Sequence, residues 1–193
     1  MAKQPSRDPS QQIIEAAKKC YLADGISNTG MKEVAQTANV ARSTLYRYFA
    51  TKDELLVTVI KQELIDLGDS IICSLERFDN PSDTLVEGLL ISLQRIPQNP
   101  LLKAALASDE DVNARRIIWE SDTILDLVNH MLENFIRPSV ELKILQDQVR
   151  PEIMTEWIYR ILLSYLTLPS HFMKTEDELR ATLHSLLIPV MLR

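Results

Sequence analysis

The side chains best suited to chemistry lie close together near the N-terminus. Guanidinium, hydroxyl and ammonium groups follow one another at Arg42, Ser43, Thr44, Tyr46, Arg47, Tyr48 and Lys52, and Thr29 opens the same segment. Arginine and hydroxyl side chains hydrogen-bond to base edges and to phosphate oxygens of duplex DNA. A lysine at a helix start can hold a phosphate together with free backbone N–H groups. These eight residues are therefore the candidate DNA-contacting set.

Two short helices joined by a tight turn would position these side chains. Apolar spacing predicts helices over residues 31–38 and 42–49, with Asn39 in the turn, where it tolerates a left-handed backbone. Leu45 and Phe49, four residues apart, would anchor the second helix on its buried side. The arrangement is typical of a helix-turn-helix, whose second helix enters the major groove. A surface helical hairpin with half-buried aromatic residues is the alternative.

Charge is divided unevenly along the chain. The 193 residues carry 21 Lys and Arg against 27 Asp and Glu, a formal net charge of −6. The first 60 residues nevertheless carry eight basic and six acidic side chains. Because a net negative surface repels DNA, the DNA contact is expected from the N-terminal segment. We therefore expect a DNA-binding domain over residues 1–50 and a second domain over residues 51–193.

Helices are predicted for the rest of the chain as well. Only 4 Gly stand against 9 Pro, and long stretches of Ala, Leu, Glu, Lys and Gln favour helices separated by proline-marked breaks. The predicted fold is all-α, with nine helices and no strand. Its longest elements are a fourth helix over residues 52–75 and a later helix over residues 109–136, which Pro138 ends. A capping box at Thr175 opens the last helix.

Large apolar and aromatic residues recur on two of the later helices. Residues of this kind either form ordinary core or line a mostly apolar cavity with a few polar contacts. His130, Tyr159 and Asn129 are the polar candidates. The predicted ligand-binding set is Trp119, Leu127, His130, Met131, Phe135, Trp157 and Tyr165.

The last two predicted helices are apolar over a broad face. Such a pair either packs inside one chain or pairs with its own copy across a two-fold axis as a four-helix bundle. The residues that could form this second arrangement are Ile158, Leu162, Leu166, Leu179, Leu183, Leu186, Leu187 and Val190.

The segment from Thr29 to Leu55 resembles the N-terminal domain of the TetR family of bacterial transcriptional regulators. Thr44, Tyr46, Phe49, Lys52 and Leu55 stand in register with that family's pattern, and Val34-Ala35 and Gly25 match its usual I-A pair and loop glycine. The likeness covers about residues 10–60 in sequence and the whole chain in length and helix count. It implies a three-helix N-terminal domain that binds double-stranded operator DNA, and a helical C-terminal domain for a small-molecule effector. It also favours the homodimer over intramolecular packing of the last two helices.

Two positions depart from the family pattern. Asn39 stands where the family often has Gly, and Ala41 stands where a Ser usually begins the recognition helix. The second change removes a side-chain cap, at a cost of about 1 kcal/mol. The fold should tolerate this cost, although one DNA contact common in the family is then expected to be missing.

We therefore expect a ligand-responsive regulator, and a repressor released from its operator by a small apolar or amphipathic molecule. An enzyme and a small-molecule binder without operator affinity are the alternative classes, but no nucleophile, base and orienting group can be assembled from the sequence. The three His share no metal-ligand spacing and the four Gly are scattered, so neither a metal nor a cofactor is expected. No apolar run approaches the ~18–20 residues of a membrane span, and the N-terminus lacks the apolar core of a secretory signal. The expected location is the cytoplasm.

Overall fold

The computed structural model describes residues 8–107, 112–146, 150–168 and 170–192. Helices dominate these ranges, and the only strand-like feature within them is an isolated bridge between Leu145 and Leu192. The all-α prediction is confirmed. The helices are α1 (Pro9–Asp24), α2 (Met31–Thr37), α3 (Arg42–Tyr48), α4 (Lys52–Leu75), α5 (Pro81–Arg95), α6 (Pro100–Leu102), α7 (Val112–Trp119), α8 (Asp122–Glu141), α9 (Pro151–Thr167), α10 (Glu176–Thr182) and α11 (Ile188–Met191).

Short turns of different pitch extend three of these helices. A 3₁₀ turn over Ile96–Gln98 continues α5, a π-helical turn over Lys103–Ala107 continues α6, and a second π-helical turn over Leu183–Leu187 joins α10 to α11. The predicted last helix is therefore present as one continuous helical stretch that changes pitch twice.

The predicted helix over residues 109–136 is wrong as a single element, and the described part of the chain holds more helices than the nine expected. Helix α7 ends at Trp119, where the N–H of Ser121 bonds to the carbonyl of Ile118 and closes a tight turn. Asp122 then begins α8 with an acidic side chain in its first turn, a placement that the helix dipole favours. The predicted start of the long helix, at residues 108–111, lies outside the described residues.

Helix α8 also continues past Pro138, where it was expected to stop. The helix ends at Glu141 instead, because Lys143 adopts a left-handed conformation with φ of 55°. The N–H of Ile144 bonds to the carbonyl of Ser139, and the N–H of Lys143 bonds to that of Val140, each at 3.0 Å. This is the bonding pattern of a Schellman cap. Pro138 falls in the last turn, where its missing N–H removes only one helical bond.

Packing divides the chain into two compact units. The first comprises Met1–Glu63 and Pro100–Ser121, and the second comprises Leu64–Asn99 and Asp122–Arg193. Within the first unit α6 packs against α1. A segment distant in sequence therefore supports the N-terminal helices. The compact unit that contains these helices extends beyond residue 50, where the domain boundary was expected. That boundary stays a prediction about function.

The core of the second unit contains three residues that were predicted for dimerisation. Ile158, Leu183 and Leu187 are only 3%, 4% and 2% exposed, and they pack in one cluster with residues of α5 and α9. Those three assignments are wrong, because the three side chains are used in the core of their own chain. Leu162 and Leu179 pack against the same cluster while partly buried.

Candidate DNA-binding interface

The turn between α2 and α3 is fixed by backbone hydrogen bonds. Asn39 has φ of 52°, the N–H of Val40 bonds to the carbonyl of Ala35, and the N–H of Asn39 bonds to that of Gln36, each at 3.0 Å. These bonds form a Schellman cap with Asn39 at the left-handed position. Asn replaces the more usual Gly here because its short polar side chain tolerates that conformation.

Helix α3 presents its polar side to solvent and its apolar side to the interior of the first unit. Leu45 is 0% exposed and Phe49 is 5% exposed, so the predicted anchors are confirmed. Thr44 and Tyr48 are half-buried at the edge of the polar face. The exposed members of the predicted set on this helix are Arg42, Ser43, Tyr46 and Arg47.

Both arginines of α3 lie over aromatic rings. The guanidinium carbon of Arg42 is 5.9 Å from the ring centroid of Tyr46, and that of Arg47 is 5.2 Å from the centroid of Tyr48. Each such cation–π contact at an exposed site contributes about 0.5–1 kcal/mol. The contacts restrict the two guanidinium groups while leaving their N–H donors available to phosphate or base acceptors.

Helix α4 begins directly after α3, and side-chain hydrogen bonds hold the junction. The Thr51 hydroxyl accepts from the N–H of Glu54 at 3.0 Å, and the Glu54 carboxylate accepts from the N–H of Ala50 at 2.8 Å. The ammonium of Lys52 donates to the carbonyl of Ser27 at 2.9 Å. Lys52 therefore ties the loop after α1 to the start of α4, a role that sequence spacing could not reveal. Its two other donors can still reach a phosphate.

Thr29 is the member of the predicted DNA-contacting set that the structure contradicts. Its side chain is buried at 3% exposure, and its hydroxyl donates to the carbonyl of Gly25 at 2.8 Å. Gly25 has φ of 85°, which ends α1 and brings its carbonyl towards the next turn. Thr29 therefore stabilises the loop between α1 and α2, and its hydroxyl does not face solvent.

Residues 13–59 match the family model described as bacterial regulatory proteins, tetR family. Over these residues the chain is similar to the DNA-binding segment of the TetR family. Over 182 residues it is 25% identical to an HTH-type transcriptional regulator of Mycobacterium tuberculosis, covering 94% of this chain and 85% of the relative. The names of such relatives describe transcriptional regulators rather than enzymes, in agreement with the prediction that this chain is not an enzyme.

Solved structures of TetR-family proteins share the fold. The repressor AlkX from Dietzia, implicated in biodegradation of n-alkanes, superposes with a TM-score of 0.68 at 21% identity, over 96% of each chain. The regulator FadR from Bacillus subtilis, solved in complex with stearoyl-CoA, superposes with a TM-score of 0.61 at 16% identity, over 91% of this chain and 97% of FadR. At these identities the comparison establishes the architecture of the regulator and not its ligand.

The seven residues predicted to bind a ligand are divided between the two units. Trp119 lies in the first unit and the other six lie in the second. Trp119 and Trp157 are 41% and 45% exposed, and the His130 side chain is 82% exposed, 3.4 Å from Glu133. All three side chains are exposed, and the break between α7 and α8 ends the continuous face on which Trp119 was placed with Leu127. Their contact with a ligand stays a prediction.

The remaining four residues of that set have separate surroundings within the second unit. Leu127 is buried, and Phe135 packs against the hydrophobic cluster. The methyl group of Met131 lies where a side chain at Gly68 of α4 would be, so the missing Cβ of that glycine allows α8 to approach closely. Tyr165 alone of the seven lines a cleft described below.

No group of three His, Cys, Asp or Glu within the described ranges is arranged to hold a metal ion. In the same part of the chain, no helix is long and apolar enough to cross a membrane.

Proposed function

We propose that this chain is a TetR-family repressor that binds operator DNA as a homodimer and leaves it when a small molecule binds. The observation that carries the proposal is the polar face of α3, on which Arg42, Ser43, Tyr46 and Arg47 are exposed while Leu45 is fully buried. A short helix held in this way by a capped turn fits the major groove, and its donors match phosphate oxygens and guanine edges.

The relatives support repression and effector binding. AlkX is named as a repressor, and FadR of Bacillus subtilis was solved with stearoyl-CoA. The effector we propose for this chain is a small apolar or amphipathic molecule. The expected place of action is the cytoplasm, where operator DNA is available to such a regulator.

The dimer face we propose is the exposed apolar surface of α9, of α11 and of the Leu183–Leu187 turn that precedes α11. Ile153 and Trp157, one helical turn apart, are 55% and 45% exposed, and Leu186 and Val190 are 67% and 53% exposed with the same spacing. A second copy of the chain is the natural partner, because one helix-turn-helix makes few contacts and dimers read two half-sites. Leu186 and Val190 thus remain from the original dimer set, and Ile153 and Trp157 are added to it.

Helix α4 is the element through which we propose that the effector acts. The helix is continuous from Lys52 to Leu75, and its residues belong to the first unit up to Glu63 and to the second unit from Leu64. Tilting such a helix would change the spacing of two recognition helices, which must match about 34–36 Å on B-DNA. The effector must bind the tilted state more tightly than the DNA-competent state.

A gel-shift titration against the DNA upstream of its own coding sequence tests the proposal. Arg47→Ala and Tyr46→Ala should each weaken specific binding by about 5- to 150-fold, the range expected when a base-reading contact is lost. Lys52→Met should weaken binding to all sequences alike and lower the salt slope by about 1. Arg116→Ala, which removes an exposed arginine of α7, is the matched control and should bind as the unaltered protein does.

Wild-type operator affinity in both α3 variants would contradict the assignment of the recognition helix. Absence of any specific complex with the unaltered chain, at low salt and with several upstream fragments, would instead favour a small-molecule binder that has lost operator affinity.

A further inference from the structure

A cleft in the second unit lies between the end of α5, the end of α9 and the loop that leads into α10. Its volume is about 410 Å³, within the range of small-molecule sites in proteins. Half of its lining residues are aliphatic, among them Leu90, Leu93, Leu166, Leu179 and Met173. Two of these, Leu166 and Leu179, were predicted to pair two chains, but here they face a space large enough for a ligand.

Polar side chains supply the other half of the lining, and three of them belong to Tyr165, Gln94 and Lys174. Among the residues that the structure describes, the Tyr165 hydroxyl has only the sulfur of Met173 as a hydrogen-bond partner, at 3.5 Å, and a thioether is a weak acceptor. The amide of Gln94 on α5 is exposed beside it. Lys174 lies on the third wall, in the loop before α10.

One basic side chain, Lys174, and one acidic side chain, Glu176, line the cleft. Lys174 donates to the carbonyl of Ser170 at 2.6 Å and forms no ion pair within the described residues. Glu176, the carboxylate that also lines the cleft, is bonded to Arg180 at 2.6 Å. Arg180 also pairs with Glu87 and Asp177. The Lys174 ammonium has three donors, so two of them remain available to a ligand.

The loop that carries Lys174 is held in place by Glu178. The Glu178 carboxylate accepts from the backbone N–H groups of Lys174 at 2.7 Å and Thr175 at 2.9 Å. The N–H of Met173 bonds to the Ser170 hydroxyl at 3.0 Å. The position of the lysine at the rim is thus fixed by hydrogen bonds before any ligand arrives.

We propose that this cleft binds an amphipathic small molecule whose apolar body packs on the leucine walls and whose anionic group meets Lys174. The Tyr165 hydroxyl and the Gln94 amide would hold the polar end. The effect of such a ligand on DNA release rests on the proposed function, whereas its binding does not. One wall of the cleft is Pro97, three residues before Pro100, where the chain enters the first unit.

Two fluorescent probes that differ mainly in one charged group test the site. 1-Anilinonaphthalene-8-sulfonate carries an anionic sulfonate, and N-phenyl-1-naphthylamine has the same aromatic body without it. In titrations of the full chain, Lys174→Met should weaken the sulfonate probe about fivefold, as expected for loss of one exposed ion pair, and leave the neutral probe unchanged. Lys174→Arg should restore the sulfonate affinity, and Lys19→Met, at an exposed lysine of the first unit, should have no effect.

A second set of variants separates this cleft from the exposed apolar faces elsewhere. Leu93→Gln, at a half-buried wall position, should weaken both probes at least fivefold, whereas Trp157→Ala should weaken neither. Equal responses of the two probes to Lys174→Met, or unchanged binding in Leu93→Gln, would overturn the proposal. These titrations contain no DNA, so their failure leaves the operator test standing, and failure of the gel shift leaves this site standing.

Discussion

Two leucines of the same helical stretch, three residues apart, offer a matched test of what covers the C-terminal helices. Leu183 is 4% exposed and belongs to the core cluster, whereas Leu186 is 67% exposed. Replacing either by Ala removes the same atoms from the same helical turn, so differences in helix propensity cancel. The two variants therefore report separately on the core of one chain and on the proposed contact between two.

The expected magnitudes follow from burial. Leu183→Ala leaves a cavity in the core and should lower the free energy of unfolding by about 2–5 kcal/mol. Leu186→Ala should change the stability of the isolated chain by less than about 0.5 kcal/mol. In a two-fold dimer, however, two copies of Leu186 leave water together. A fully buried leucine contributes roughly 1.5–3 kcal/mol, and 67% of each Leu186 is still exposed in the single chain. The two copies together therefore account for about 2–4 kcal/mol per dimer, and their loss should weaken association at least 30-fold.

Sedimentation equilibrium and urea unfolding at several protein concentrations would measure both effects. The urea midpoint of a dimer falls when the protein is diluted. In Leu186→Ala this fall should begin at higher protein concentrations. Leu183→Ala should lower the midpoint at every concentration. Should Leu186→Ala and Trp157→Ala both associate with wild-type affinity, the exposed apolar surface would not be the dimer face and the reasoning from burial would fail.

Two further predictions concern helix stability. Ala41→Ser should raise the free energy of unfolding by about 0.5–1 kcal/mol, because Ala41 has the extended backbone of an N-cap but no side-chain acceptor; a urea titration that shows no gain would refute this. Gly88→Ala should stabilise α5 by about 1 kcal/mol, since its new methyl group would meet Leu75 at an ordinary 3.4 Å. Gly68→Ala should gain measurably less, because the methyl group of Met131 must move aside, and an equal gain in thermal unfolding would show that this contact has no cost.

The helix-turn-helix could be predicted from the sequence because its signals are local. The left-handed turn at Asn39 and the one-turn spacing of Leu45 and Phe49 each involve residues within a few positions of one another. The same holds outside this domain for the cap at Thr175, which opens α10. Backbone conformation and short-range hydrogen bonds decide such features, so their residue types are visible in the sequence. The departure at Ala41 was visible for the same reason, and the structure shows no side-chain cap there.

The ligand-binding and dimer residues could not be assigned in the same way, because burial depends on contacts between distant segments. Leu183 and Leu186 are the same residue type in one apolar stretch, and only packing against α5 and α9 distinguishes them. Thr29 resembled a DNA contact by position, yet its hydroxyl is used by the carbonyl of Gly25. The cleft near Lys174 joins the end of α5 to a stretch that begins some seventy residues later in the chain, so no periodicity could indicate it.

The junction between the recognition helix and α4 limits where an effector-driven motion can begin. Only residues 49–51 separate the two helices. Phe49 is buried, the Glu54 carboxylate holds the N–H of Ala50, and Lys52 holds the carbonyl of Ser27. A hinge needs residues whose backbone angles can change freely, and each end of this short connection is fixed by packing or hydrogen bonds. Movement of the first turn of α4 is therefore transmitted to α3 rather than absorbed, and bending that spares the recognition helix must occur beyond Glu54.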